Sequence, residues 1–207
     1  DVSTMFQSHD ITPASSVYNG TTLDSAVGGF VDTVNDYLWV ACRTDSITVI
    51  DISDPTNMSI LGSFSDSSNI NGCYNCYYDS SSDILITVAQ IDDMIGFWDV
   101  SSWKTSFSGS PTLLGTYTNA SSLNNFTKIA VDTSRQMVFT GSERFVSIDY
   151  SDLVTNGASG SLTVFVAPST SSYSAGTAQN ASLPSGALNR SDVVYWPRKE
   201  IVFRSGD

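Results

Sequence analysis

A single phrase recurs along the chain, and it limits what the chain can become more than any other feature. It reads Phe30-Val31-Asp32, a polar turn, then Leu38-Trp39-Val40-Ala41. It returns as Tyr77-Tyr78-Asp79 with Leu85-Ile86-Thr87-Val88-Ala89, and as Ala130-Val131-Asp132 with Met137-Val138-Phe139-Thr140-Gly141. A fourth copy joins Val194-Tyr195-Trp196 to Ile201-Val202-Phe203 across Pro197-Arg198-Lys199-Glu200. Each copy is an apolar strand, a tight polar turn and a second apolar strand. A second phrase follows in three units: Ile47-Thr48-Val49-Ile50-Asp51-Ile52-Ser53, Ile95-Gly96-Phe97-Trp98-Asp99-Val100-Ser101 and Val146-Ser147-Ile148-Asp149-Tyr150-Ser151. A third phrase closes each unit, as Ile60-Leu61-Gly62-Ser63-Phe64, Leu113-Leu114-Gly115-Thr116-Tyr117 and Leu162-Thr163-Val164-Phe165-Val166. Four short strands in about 50 residues match one blade of a β-propeller.

The expected fold is therefore all-β, a propeller of four-stranded blades. Three blades are complete, at 29–68, 74–118 and 127–167. Residues 192–207 hold only the first two strands of a fourth. The amino end carries apolar residues where the missing strands would lie: Val2-Ser3-Thr4-Met5-Phe6-Gln7 for the third, Ser15-Ser16-Val17-Tyr18 for the fourth. Residues 1–28 thus complete the split blade, and one four-bladed domain spans 1–207. Such closure hides sheet edges and ties down both ends. The alternative is a piece of a larger propeller, its half-blade completed by another copy or chain segment. A β-sandwich with similar strand spacing is the remaining architecture. Residues 168–191 are rich in Ser, Ala, Gly, Thr and Asn and read as a long surface loop. No stretch shows a helical period.

At Leu38-Trp39-Val40-Ala41 and Ile47-Thr48-Val49-Ile50-Asp51-Ile52-Ser53-Asp54-Pro55 the chain resembles the LVIVD repeat family. Residues 38–64 match its phrase closely, 85–117 moderately and 137–151 weakly. The resemblance implies a propeller of the kind found mostly in extracellular and surface proteins. It brings no catalytic motif, so no functional residue is carried over. The repeated Asp51, Asp99 and Asp149 are read as structural, since a carboxylate after a strand accepts backbone N–H groups of the following turn.

Charge narrows the function. Nine Lys and Arg stand against 21 Asp and Glu, a net charge of -12. Such a chain repels phosphate backbones, so nucleic acid is not an expected partner. No apolar run reaches the roughly 20 residues of a membrane span. Only 14% of residues are charged, below the roughly 25% usual in soluble domains, and 56 Ser and Thr fill the difference. That balance points to a secreted or surface protein. A start at Asp1 rather than Met fits a processed or excerpted segment.

Sequons Asn-x-Ser/Thr occur at Asn19, Asn57, Asn119, Asn125, Asn180 and Asn189. Most fall between strands or blades, where a sugar would project into water. Cys73 and Cys76 form a Cys-x-x-Cys pair, read as a short-loop disulfide in an oxidising compartment. A zinc site would need a second pair. Cys42, on a strand, is read as a small buried hydrophobe.

Catalytic groups are scarce. The one histidine, His9, sits in the amino-terminal loop with nothing near it that suggests a nucleophile. Asp92-Asp93, and Asp79 with Asp83, are the carboxylates that sugar hydrolysis or a calcium site would draw on. The first needs two opposed carboxylates at a set separation, the second about six to eight oxygens. Trp39, Trp98 and Trp196 read as inter-blade packing. Trp103 follows a strand end, where packing competes with a saccharide-stacking platform on the surface. No catalytic and no metal-ligating residue is expected, and no cofactor beyond covalent N-glycans, with calcium the weaker alternative. The function expected is that of a non-enzymatic extracellular glycoprotein, a structural or adhesive subunit of a surface or filamentous assembly. Its partners would be other copies, other surface proteins or glycans. The alternative is a carbohydrate-binding or carbohydrate-active propeller.

Overall fold

The computed structural model describes residues 15–141 and 144–167, with the backbone of 193–196 and 201–204. Strands follow one another as antiparallel neighbours. The first sheet is β1 (Ala26–Asp32), β2 (Tyr37–Cys42), β3 (Ser46–Asp51) and β4 (Ser59–Ser65). The second is β5 (Cys73–Asp79), β6 (Ile84–Ala89), β7 (Met94–Asp99) and β8 (Thr112–Thr118). The third is β9 (Ile129–Asp132), β10 (Met137–Gly141), β11 (Phe145–Asp149) and β12 (Thr163–Val166). A two-stranded sheet, β13 (Val193–Trp196) and β14 (Ile201–Arg204), comes last.

The first turn of every sheet closes in the same register. Asp32 pairs with Tyr37, Asp79 with Ile84, Asp132 with Met137 and Trp196 with Ile201. Four residues lie between the strands, a loop length usually built on a type I turn. In the first three sheets the last turn residue is left-handed: Asp36 at φ 56°, Asp83 at 57° and Gln136 at 49°. Asp tolerates that region better than most side chains do.

The first strands of successive sheets are neighbours. β1 packs on β5, β5 on β9, and β13 lies against β9 and β10. The sheets radiate from this row like vanes, each facing the next. Alternation along the strands divides the side chains between the two faces. Trp39, Ala41, Ile47, Val49 and Phe64 of the first sheet meet Cys73, Cys76, Tyr78, Leu85 and Trp98 of the second. Ile84, Ile86, Val88, Ile95 and Phe97 face the other way and meet Val138, Val146 and Ile148 of the third, with Tyr150 just beyond β11. Each large side chain buried this way contributes about 1.5–3 kcal/mol. Aromatic contact adds direction: Trp39 stacks on Tyr78 at 4.7 Å and 25°, and Phe64 meets Trp98 at 5.4 Å.

Several expectations change. The first strand begins at Ala26 rather than near 29. Residues 15–18 form no strand. They lead into a turn at Asn19, and Val17 and Leu23 pack on the outer face of the first sheet, beside Val40, Cys42 and Ile50. Short helical turns occur where no helical period was visible: α1 (Ala120–Leu123), α2 (Ser151–Asn156) and a 3₁₀ turn at Trp103–Thr105. At one turn or so each, they are too short to show a period. The segment 2–7, the loop 168–191 and His9 lie outside the described residues.

Gly28 sets how closely the first two sheets approach. A Cβ there would lie 2.4 Å from the Tyr74 carbonyl oxygen and 3.3 Å from Asn75 Cα, both backbone atoms with nowhere to go. Gly28→Ala is therefore expected to destabilise the fold by about 1–3 kcal/mol, read as a lower urea midpoint at unchanged slope. A midpoint equal to wild type would mean that the sheets can part here at no cost.

Candidate functional site

Among the described residues the buried charged groups are the turn carboxylates. Asp32, Asp79 and Asp132 end β1, β5 and β9 and are 2%, 1% and 6% exposed. A buried charge is costly unless donors surround it, and each turn supplies them. Asp32 accepts from the Val34 N–H at 3.0 Å and from Asn35 Nδ2 at 2.6 Å. Asp132 accepts from the Ser134 N–H at 3.1 Å and its hydroxyl at 2.6 Å. Asp79 accepts from the Ser81 N–H and hydroxyl and from the Ser82 hydroxyl. It also takes a 2.9 Å bond from the hydroxyl of Tyr150, the residue that follows β11. At the far ends of the third strands, Asp51, Asp99 and Asp149 accept the N–H groups of Ser53, Ser101 and Ser151 at 2.8–2.9 Å. These three do what their place after a strand foretold.

A second cluster was not legible in the sequence. The Tyr78 hydroxyl donates to Asp83 Oδ1 at 2.5 Å, and Lys104 Nζ donates to the same oxygen and to the Tyr78 hydroxyl at 3.1 Å. Burial alone would raise the Asp83 carboxyl. The hydrogen bonds from Lys104 and Tyr78, with the ammonium charge, outweigh it and hold the carboxyl below its usual range. Burial, then the bond to Asp83, pushes the Tyr78 hydroxyl far above the ordinary phenol. Burial and the Asp79 carboxylate do the same to Tyr150. Lys104 follows Trp103, whose ring is 4% exposed and whose Nε1 donates to the Gly109 carbonyl at 3.0 Å. Trp103 is thus not a surface platform for a saccharide. It lies in the core between Trp39, Phe64 and Phe107.

This arrangement ties turns to sheets. Asp79 and Asp83 belong to two separate networks, and Asp92, at the opposite end of the second sheet, accepts from Asn71 Nδ2 at 3.1 Å. Among the described residues no group of three or more His, Cys, Asp or Glu side chains is placed to share a cation.

The sequons differ in setting. Asn57 is exposed in the turn between β3 and β4, its N–H bonded to the Asp54 carbonyl. Asn125 is exposed at φ 55°. Asn119 is half-buried and caps α1, its Oδ1 accepting from the Ser121 N–H at 3.0 Å. Asn19 holds a turn by accepting from the N–H groups of Thr21 and Thr22. Asn180 and Asn189 lie outside the described residues.

The cysteines require a correction. Cys42, Cys73 and Cys76 are all buried and all free. Cys73 and Cys76 lie on one strand, not in a loop, and three residues of extended chain set their Cα atoms about 10 Å apart. A disulfide needs less than about 7 Å. Cys73 Sγ lies 3.7 Å from the Asn75 carbonyl, and Cys76 Sγ lies 3.6 Å from the Trp39 carbonyl. Burial, with Cys42 nearby, pushes the Cys73 thiol up to about 12. Burial raises Cys76 and Cys42 as well.

Two measurements follow. Ellman's reagent at about pH 8 should leave the native chain unlabelled, because the reactive thiolate is suppressed. It should titrate all three thiols once the chain is unfolded without reductant; a shortfall of two would show a disulfide. For the tyrosines, the raised folded-state values mean that Tyr78 and Tyr150 contribute stability in full below about pH 10, where an unfolded phenol ionises. That stability is lost as pH climbs further. A 295 nm titration should show phenolate from these two only when the fold melts. Tyr78→Phe and Tyr150→Phe should each flatten the alkaline fall in stability.

Comparison with known proteins agrees with the architecture. Residues 31–66 match the LVIVD repeat. No match is found among curated proteins. A functionally unknown protein from Desulfotomaculum acetoxidans superposes with a TM-score of 0.52 at 17% identity, over 70% of this chain and 43% of that one. The β-propeller domain of Cps50 (Swd1) from Myceliophteria thermophila gives 0.49 at 14% identity, over 70% and 42%. Sqt1 from Saccharomyces cerevisiae gives 0.48 at 9%, over 70% and 35%. The chain thus spans less than half the length of these structures. With its antiparallel four-stranded sheets set face to face around a row of first strands, the chain is a β-propeller that carries the LVIVD repeat.

Proposed function

We propose that the chain is a non-enzymatic extracellular glycoprotein module, a structural or adhesive subunit of a surface or filamentous assembly. The observation that carries this reading is the character of the outer strands. β4, β8 and β12 stand at the edge of their sheets and contain no charged residue and no proline. Monomeric proteins usually blunt such edges with charges or Pro, because open N–H and C=O groups recruit another strand; here β4 and β8 each carry one bulge, at Leu61 and Leu114, and β12 pairs without one. Of the carboxylates considered for sugar hydrolysis, Asp79 accepts from its own turn, Asp83 is paired with Lys104 and Asp92 accepts from Asn71. Asn57 and Asn125 offer exposed side chains for sugar on loops at opposite ends of the sheets.

Protein from a eukaryotic secretory host should lose mass on treatment with peptide N-glycosidase. Asn57→Gln and Asn125→Gln should each remove one glycan and leave the circular dichroism spectrum unchanged. Secreted material of bare polypeptide mass would overturn the glycoprotein reading. Material that stays monomeric and captures no surface partner would overturn the assembly role.

A further inference from the structure

The outer strands of the first two sheets are built alike. β4 runs Ile60-Leu61-Gly62-Ser63-Phe64 where β8 runs Leu113-Leu114-Gly115-Thr116-Tyr117, and each is paired on one side only. Loops of the following unit rest on them. A Cβ at Gly62 would lie 2.4 Å from the Phe107 carbonyl oxygen, and one at Gly115 3.5 Å from Leu153 Cδ1. Yet among the described residues neither loop makes a backbone hydrogen bond to β4 or β8. Their outward N–H and C=O groups therefore stay open to another strand.

Both open edges stand beside a sequon. Asn57 is exposed and lies two residues before Ser59, where β4 begins. Asn119 directly follows Thr118, where β8 ends. The cap it gives α1 uses Oδ1, which accepts from the Ser121 N–H at 3.0 Å. That bond leaves Nδ2, the atom that carries an N-linked sugar. Asn125 is different: it lies between α1 and β9, the inner strand of the third sheet.

We propose that sugars on Asn57 and Asn119 guard the edges of the first and second sheets, so that their occupancy decides whether a second copy pairs there. The inference rests on the glycoprotein and assembly readings above and names how one regulates the other. A second copy is the fitting partner, because an uncharged edge strand is what an open edge pairs with and each copy carries them. Each strand has seven residues, a run of about 23 Å. A sugar tethered at one end sweeps the space beside so short a strand, and an incoming strand would have to confine it at an entropic cost. Asn119 is the stronger guard. The four residues after the bulge in β8, Gly115 to Thr118, pair in regular register and end beside it. In β4 the equivalent run, Gly62 to Ser65, ends away from Asn57.

The full chain from a eukaryotic secretory host, followed by sedimentation velocity over a concentration series, tests this, with peptide mapping to show which sites carry sugar. Ser121→Ala deletes the sequon at Asn119 and keeps its cap. It should lower the concentration at which copies associate by at least about tenfold. Asn57→Gln should lower it by less. Asn125→Gln, which removes a sugar away from both edges, should leave it unchanged. Made in bacteria without sugar, wild type and Ser121→Ala should associate alike. If Asn119 carries sugar and Ser121→Ala changes nothing, the guard fails while the glycoprotein and assembly readings stand. An equal gain from Asn125→Gln would mean general shielding and would also overturn it. So would a bare Asn119 in wild type, or sugar-free proteins that differ from each other.

Discussion

Every residue of β6 is buried, and that constraint organises everything around it. A strand whose two faces are both apolar cannot belong to a sheet with one side in water. It requires a sheet on either hand, and the repeat supplies them. Leu85 turns to the Trp39 side while Ile84, Ile86 and Val88 turn to the Val138 side. Vanes set face to face are the outcome, and the row of first strands is where they converge. Close approach at that row leaves no room for a side chain at Gly28. It also leaves little water for the turn carboxylates, which is why each accepts from donors of its own turn, with Tyr150 added at Asp79.

Equivalent positions show how one unit is adjusted to its neighbours. After the carboxylates Asp51, Asp99 and Asp149 come Ile52, Val100 and Tyr150. Val100 is fully buried among apolar partners. Tyr150 fills the same place with a longer ring, and its hydroxyl reaches Asp79 in the preceding sheet. One substitution in the repeat thus turns a packing position into a polar tie between sheets.

Much of the fold was legible because it is written in a period of two and in repeated turns. The strand pairs flanking Asp32, Asp79 and Asp132 stand where the recurring phrase put them, and Asp51, Asp99 and Asp149 do what a carboxylate at a strand end should do. The misreadings share a cause: they concern segments the repeat does not share. Cys73 and Cys76 look like a loop pair by spacing, yet Gly72, with φ at 62°, turns the chain so that the strand begins at Cys73. Trp103 follows a strand end, but a single 3₁₀ turn folds it back into the core. The meeting of Lys104 with Asp83 and Tyr78 joins residues 21 and 26 positions apart through the loop between β7 and β8, whose sequence is not repeated between β3 and β4 or between β11 and β12, so no pattern announces it.

Hydrogen bonding is satisfied inside each sheet, and neighbouring sheets are held chiefly by apolar contact, with few polar ties such as that from Tyr150 to Asp79. Changing the angle between two vanes therefore trades greasy area for greasy area and breaks no ladder. A fan built this way has a soft opening angle and stiff ribs, so sequences that share its ribs are free to differ in pitch.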